Sequence, residues 1–550
     1  MFHKNKLAAA IGILSLSLSY QAAYADATAD CNAGGGVTST ECGVGASATA
    51  DTSVALGAAA QATATDAVAI GDQAAASGVN SSAVGGESVA SGLAAQAFGW
   101  RANATGERSS ALGHLANAAG LRATAVGEAA NASAETSIAI GNTSAASAID
   151  AVAIGDQAAA SGINSSAVGS ESVASGLAAQ AFGWRANATG ERSSALGHLA
   201  NAAGLRATAV GEAANASAET SIAMGNGAAA SAIDAVAIGD IAIASGVNSS
   251  AVGSESVASG LAAQAFGWRA NATGERSAAL GHLANASGLR STAVGEAAAA
   301  SGETSIAIGN TSVASAIDAV AIGDQAAASG INSSAVGSES VASGLAAQAF
   351  GWRANATGER ATALGHLANA SGLRSVAVGE AAAASGQEAI AIGNQSVAGF
   401  DFSTAIGSGA TTTRANQIAL GTSTSTYTAA GIASSASRAT QSGALQLVTT
   451  DANGNLATDG GRLYTRLDRL DERNEVLAEG IAMSLALDSP TVAPGSTFAI
   501  SGGVGHYDNS ESVAVGASYR ASEKILWSGG LGVGLDRGKV GARVGVSYSW

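Results

Sequence analysis

The chain has 550 residues, a formal net charge of −16 and only 4% aromatic residues. So few large side chains exclude several conventional hydrophobic cores. The acidic balance argues against nucleic acid as a partner, because phosphate binding needs a basic face. There are 73 glycines, but they do not recur at every third position, which excludes a collagen helix.

The N-terminal segment 1–25 has the pattern of a secretory signal peptide. Two lysines precede an apolar run over residues 7–18, and Ala23-Tyr24-Ala25 is a small-x-small cleavage site. We predict cleavage between Ala25 and Asp26. The alternative is a membrane anchor, for which the apolar run is short.

Both cysteines, Cys31 and Cys42, follow the predicted cleavage site closely. An exported chain favours disulfides, so an intramolecular bridge that closes a small loop at the tip is one interpretation. A bridge between chains of an oligomer is the other. A two-cysteine metal site is disfavoured because no histidine lies nearby.

Glycine recurs at every fourteenth position from Gly57 to Gly421. Alternation before the glycine, as in Asp66-Ala-Val-Ala-Ile-Gly71, is typical of a strand, and one period is long enough for two short strands and two tight turns. A fixed period of this kind predicts a β-solenoid, with one period per coil. Glycines at both corners are expected to supply the backbone angles of the turns.

Alanine stands two positions before each glycine, and the positions three and five after it are mostly alanine too, which predicts a very thin coil interior. The bulkier residue next to the glycine, such as Ile70 or Phe98, would then point outward. A stripe of that length is an interaction surface. We therefore expect it to be buried by other copies of the chain.

A longer period, equal to six coils, overlies the short one. Residues 72–142 differ from residues 156–226 at only three positions: Val79/Ile163, Gly86/Ser170 and Ile140/Met224. This indicates duplication of a six-coil cassette, which can lengthen a solenoid without a new core.

One tryptophan recurs in each cassette beside an arginine, and these are the candidate ligand-binding residues: Trp100, Trp184, Trp268 and Trp352. The competing interpretation is that each packs over a neighbouring coil. The histidines that follow a coil glycine (His114, His198, His282 and His366) are read as solvated turn residues, with a metal site across subunits as the alternative. We find no catalytic constellation and predict no enzyme activity, cofactor or metal.

Residues 422–461 form a connector whose fold the sequence does not reveal. A helix follows, in which Leu463, Leu467, Leu470, Asn474, Leu477, Ile481 and Ser484 are spaced alternately by four and three. This heptad seam with charged flanks favours a coiled coil over a helix packed on its own domain. Asn474 would be a polar layer that fixes register and oligomeric state.

The final stretch, from Gly495 to Trp550, contains four strand-like segments that are apolar on one side and end on an aromatic residue. An open sheet cannot lie in lipid, and about eight strands are needed for closure. Two chains would give eight strands and three chains twelve. Helices inside the pore need the wider barrel, so we predict a homotrimer.

These motifs closely resemble the YadA-like trimeric autotransporter adhesins of Gram-negative bacteria. Asp66–Gly71 and Thr136-Ser-Ile-Ala-Ile-Gly141 resemble head repeats, whereas Gly480-Ile-Ala-Met-Ser-Leu-Ala486, Val513-Ala-Val-Gly516 and the terminal Trp550 resemble the anchor. The resemblance implies a mainly β chain with a left-handed parallel β-roll head, a short trimeric coiled-coil stalk and a twelve-stranded outer-membrane barrel. It also implies insertion by the barrel-assembly machinery. Two departures are a very short stalk and an unusual connector.

The predicted organisation is a signal peptide (1–25), tip segment (26–42), head (43–421), connector (422–461), stalk (462–488) and anchor (489–550). The leading functional hypothesis is a surface adhesin that attaches the bacterium to host cells, matrix or other surfaces, or to sister cells in aggregates and biofilm. A structural or ice-binding solenoid without a specific receptor is the alternative. An exported solenoid enzyme is disfavoured, since identical cassettes do not build a unique pocket.

Overall fold

The computed structural model describes residues 31–550. The predicted signal peptide and its cleavage site at Ala25 and Asp26 lie outside the described residues. The chain divides after Ser425 into two compact units. Each unit is described by itself.

The first unit is a β-solenoid with two strands per coil. Three-residue strands recur once per coil from Thr40–Cys42 to Ile418–Leu420, and two-residue strands recur with the same period from Ser47–Ala48 to Val397–Ala398. Both sets pair in parallel with equivalent residues opposite each other, as Val68 with Ser82 and Ala75 with Val89. The two-strand coil predicted from the glycine period is thus confirmed.

The interior of each coil is as thin as the alanines predict. Ala69, Ala74 and Ala76 are completely buried, as are their equivalents along the unit. Buried serines complete the interior, and several satisfy their hydroxyls on their own turn; Ser109 Oγ, for example, donates to the Gly106 carbonyl at 2.7 Å. Facing strands can approach this closely only because alanine and serine are small.

The two glycine corners differ, which corrects one expectation. The first glycine has positive φ, for example +135° at Gly239, where a Cβ would also lie 2.5 Å from the Gly253 carbonyl oxygen. The second glycine has no positive φ; in the coils that carry it the backbones approach closely, and a Cβ at Gly92 would overlap the Gly106 carbonyl. Left-handed residues do occur in both turns, but most of them are non-glycine residues such as Arg101 and Arg108.

A short hairpin covers the first coil. Asn32–Ala33 pairs antiparallel with Thr40–Glu41 and completes a sheet of 29 strands. A disulfide joins Cys31 to Cys42 within the same chain. The Gly35 amide also donates to the Ala48 carbonyl at 2.7 Å, so the hairpin occupies hydrogen-bonding groups at the sheet edge.

The second unit begins with a connector that the sequence did not resolve. It contains helix α1 (Ser435–Thr440) and a hairpin of β1 (Val448–Thr450) and β2 (Leu456–Thr458). The turn of the hairpin is held by the Asp451 carboxylate, which accepts from the amides of Asn453 and Asn455 at 2.9 Å.

Helix α2 (Arg462–Ala486) and four long strands complete the second unit. The strands are β3 (Phe498–Tyr507), β4 (Ser510–Ser522), β5 (Ile525–Gly534) and β6 (Val540–Tyr548), and they form an antiparallel meander in chain order. The helix and the four strands agree with the sequence prediction.

Within residues 31–550, no helix combines the length and the apolar character needed to cross a membrane.

Candidate functional site

Each cassette carries a cluster on its glycine corner that we call the Arg–Trp–His stack, formed in the first cassette by Arg101, Trp100 and His114. The indole of Trp100 stacks on His114 of the next coil, with ring centroids 4.7 Å apart and planes inclined by 22°. The contact repeats in the other three cassettes at 4.5–4.6 Å. The spacing between coils, about 4.8 Å, suits stacked rings.

The arginine covers the other face of the indole. The Arg101 guanidinium lies 4.5 Å from the Trp100 ring centroid and forms an ion pair of 2.7 Å with Glu87 of the preceding coil. Since His114 lies on the following coil, cation and imidazole sandwich the indole. The tryptophans keep 42–47% exposure, through their edges. The structure therefore shows packing over a neighbouring coil, the interpretation that competes with ligand binding.

Charge is arranged along the same column. The Arg185 guanidinium hydrogen-bonds to Glu171 and lowers the pKa of that carboxyl below its ordinary value. Arg269 lowers the pKa of Glu255 in the same way. At the far end of each stack the histidine lies near a second glutamate, 3.4 Å between His114 Nδ1 and Glu128 Oε1. The histidines are thus ring-stacked and partly exposed rather than simply solvated.

An asparagine ladder runs on the outer face of the two-residue strands. Asn103 Nδ2 donates to Asn117 Oδ1 at 2.9 Å, and Asn117 Nδ2 donates to Asn131 Oδ1 at 2.8 Å. Amide ladders of this kind reinforce stacked parallel strands. The ladder satisfies polar groups that would otherwise compete with the sheet.

The apolar stripe lies on the outer face of the other sheet, which is formed by the three-residue strands. Ile70, Phe98 and Leu112 have 37–39% exposure, although the alanine beside each is buried. The bulky residue next to the glycine therefore points outward, as predicted. The stripe follows the three-residue strands along the solenoid.

Helix α2 lies against the small-residue face of the anchor strands. Its buried residues are Ala478, Glu479, Ala482, Met483 and Ala486. A Cβ at Gly505 would overlap the Ala482 carbonyl, and one at Gly503 would overlap the Ala486 carbonyl. Glycine at these positions is what lets the helix backbone approach the sheet. The sequence had shown a small, polar face but not this close contact.

The heptad seam of α2 points elsewhere. Leu467, Leu470, Leu477 and Ile481 keep 42–60% exposure, and Asn474 is also exposed. The outer face of the strands is equally uncovered, with Val504 at 83% and Val544 at 79%. Strands β3 and β6 each have only one partner among the described strands. One chain therefore leaves a helix seam, an apolar sheet face and two sheet edges open.

No group of three or more histidine, cysteine, aspartate or glutamate side chains within residues 31–550 is arranged to hold a metal ion.

Comparison with known families matches both units. The model for the YadA-like membrane anchor domain matches residues 490–550. The model for the YadA head domain repeat (2 copies) matches fifteen segments, namely residues 48–74, 76–102, 90–116, 118–144, 146–172, 174–200, 202–228, 230–256, 255–284, 272–298, 286–312, 300–326, 328–354, 356–382 and 384–410. No curated protein matches the chain significantly.

Proposed function

Because the chain belongs to the YadA-like trimeric autotransporter adhesins, we propose that it attaches its bacterium to host cells, extracellular matrix or other surfaces. The family places a β-barrel anchor in the outer membrane and exposes the head at the cell surface. Attachment between sister cells, in aggregates and biofilm, belongs to the same proposal. The family is one of adhesins and not of enzymes.

The proposed active form is a homotrimer, and the two faces of α2 are the observation that carries it. One face is buried on the chain's own strands, whereas the heptad seam is exposed. Three copies would bury their seams against each other inside a barrel of twelve strands, and each β6 would pair with β3 of a neighbour. Asn474 would form the polar layer of that bundle.

A trimer would also bury the apolar stripe of the head. The stripe that contains Ile70, Phe98 and Leu112 follows the solenoid, so three parallel solenoids can bury it along their length. We keep the proposed boundaries at residues 1–25, 26–42, 43–421, 422–461, 462–488 and 489–550 for signal peptide, tip, head, connector, stalk and anchor. The barrel-assembly machinery is the proposed route of insertion.

The assembly is tested with the full-length protein in isolated outer membranes. We expect a band of three times the chain mass that resists SDS and disappears on boiling. Surface labelling of intact cells should reach the head. A stable, membrane-inserted single copy would contradict the proposal.

For the receptor contact we propose the exposed edges of the four Arg–Trp–His stacks. Sandwiched indoles cannot stack on a sugar ring, so a partner would contact the indole edge and the neighbouring charged groups. The stacks recur six coils apart, about 29 Å at roughly 4.8 Å per coil, and weak contacts at four such sites add by multivalency.

An adhesion panel tests this site. Cells that display a variant with Trp100, Trp184, Trp268 and Trp352 replaced by alanine should lose binding to the surface that the native protein recognises. The matched control replaces Leu121, Leu205, Leu289 and Leu373 by alanine. These residues lie at the other corner of the coils, so binding by the control should stay native. Equal binding by the tryptophan variant, at equal display, would place the receptor contact elsewhere.

A further inference from the structure

Among residues 31–550, Glu479 is the only aspartate or glutamate whose side chain is completely buried. It lies on the face of α2 that packs against the anchor strands. Its Oε1 accepts the Arg537 backbone N–H at 2.8 Å, and its Oε2 has no hydrogen-bond partner within residues 31–550. Burying a carboxyl group with one oxygen unpaired is costly, so its retention needs a reason.

Arg537 contacts α2 through its side chain as well as through its backbone. It belongs to the turn between β5 and β6, and its guanidinium forms an ion pair with Glu475 and donates to the Glu472 carbonyl at 3.1 Å. The backbone of Arg537 is therefore held by one turn of α2 and its side chain by the preceding turns. We call Glu472, Glu475, Glu479 and Arg537 the helix clamp.

The Glu479 side chain fits into a slot in the sheet at Gly534. A Cβ at Gly534 would overlap the Glu479 carboxyl group, so glycine at this position makes the slot for that side chain. The turn that carries Arg537 is fixed in turn by Asp536, whose carboxylate accepts the Glu511 amide at 3.0 Å. Arg537 is thus tied to strand β4 as well as to the helix.

Polar contacts hold the helix at this level because apolar packing does not. An open cleft of about 380 Å³ lies between α2 and the two hairpin turns beside these contacts, and Ala478 is its only apolar lining residue. Further along the helix, Ala482 and Ala486 lie against Gly505 and Gly503. Apart from Met483, which lies beside Gly532 and Gly541, this groove of glycine and alanine offers few protrusions that would resist movement of the helix along its axis.

We propose that the helix clamp arrests α2 in the anchor and keeps the pore closed. This inference rests on the proposed function, in which three copies enclose their helices in one barrel. A passenger that passes through the pore needs a smooth path, and the glycine-alanine groove supplies one. The clamp gives the final position a defined stop, since its contacts form only when Glu479 reaches the Gly534 slot.

The test measures ion conductance of the purified full-length trimer in planar lipid bilayers. Arg537→Ala leaves the Glu475 carboxylate without its ion-pair partner, and Glu479→Ala leaves the Arg537 backbone N–H without its acceptor, so we expect the open fraction to rise at least about tenfold in each. Glu479→Gln keeps an oxygen acceptor for the Arg537 amide and should stay near the native value. Lys539→Ala removes the same charge from the same hairpin without touching α2 and should also stay closed.

A charge exchange makes the test independent of general damage. Glu475→Arg combined with Arg537→Glu restores opposite charges in reversed order, so it should close the pore more tightly than Arg537→Ala alone. If the alanine variants do not assemble, Arg537→Lys provides the comparison: it keeps one charge pair, loses the planar fork, and should open to an intermediate degree.

The outcomes separate the clamp from the function on which it rests. Trimeric, surface-displayed Arg537→Ala and Glu479→Ala proteins with native conductance would overturn the clamp and leave the adhesin assembly intact. A native protein that forms no trimer would overturn the assembly itself. Opening by Lys539→Ala to the same extent as Arg537→Ala would also overturn the clamp, because charge alone would then explain the effect.

Discussion

At the scale of single residues, the head is built from positions that tolerate almost no side-chain volume. Ala69 and Ala76 both lie in the coil interior, and the glycine that follows each three-residue strand takes positive φ against the next coil. The sequence predicts the alanine interior because these small residues recur with the same period as the glycine. The sequence does not predict the role of the second glycine, because residue spacing does not show how closely the backbones of neighbouring coils approach.

Replacement of a first-corner glycine therefore should be costly. Gly239→Ala combines a strained φ with a Cβ 2.5 Å from the Gly253 carbonyl oxygen. We expect a loss of about 2–4 kcal/mol in unfolding free energy, measured by thermal denaturation followed by circular dichroism. Ser254→Ala, one residue past the next corner, is the control and should change little. A Gly239→Ala protein with native stability would show that the coils can shift apart.

The Arg–Trp–His stacks carry a pH dependence. Arg185 and Arg269 hold the pKa values of Glu171 and Glu255 below the ordinary 4.5, so the unfolded chain binds protons before the folded one does. This contribution to stability is complete above pH 4.5 and is lost as the pH falls below 4.5 through the folded pKa values.

The corresponding measurement compares Tm between the native protein and a Glu171→Gln, Glu255→Gln variant. The difference should be constant above about pH 5.5 and should shrink as the pH drops below about 4.5. Glu219→Gln with Glu303→Gln, which removes two other turn carboxylates, is the control. A difference that grows on acidification would contradict the assigned ion pairs.

At the scale of elements, α2 has two faces with different roles. Its heptad seam was visible in the sequence because leucines at alternating spacings of four and three identify a coiled coil. Its second face was not, because Glu479 meets Arg537 from 58 residues away, and alanines and glycines alone do not indicate which surfaces touch. The connector stayed unpredicted for a related reason: short strands such as β1 and β2 lack a repeating pattern.

The glycines opposite α2 allow a direct comparison. Gly505→Ala places a methyl group against the Ala482 carbonyl, so the helix must move away from the sheet. We expect trimers that dissociate at a lower temperature in SDS and a weaker display of the head. Gly502→Ala, which lies on the outer face with its nearest atom 3.9 Å away, should behave as native protein. Equal effects of both substitutions would contradict the close packing of helix and sheet.

At the scale of the whole molecule, length is set by the number of cassettes. Neighbouring coils make the same contacts throughout the head, so removal of residues 150–317 joins Ile149 to Asp318 without a break in register. We expect a head shorter by about 58 Å, twelve coils at roughly 4.8 Å each, measured by electron microscopy. Trimer formation and surface display should persist; a loss of both would show that the cassettes are not independent.

The near-identity of the cassettes has a consequence for inheritance. Gain or loss of a whole cassette keeps the coil register and leaves anchor and tip unchanged. A lineage can thereby alter how far its adhesin extends from the cell without passing through a misfolded intermediate. Two alleles of different length in one cell would meet a penalty, however, because a long chain in a mixed assembly would leave part of its Ile70-type stripe facing water.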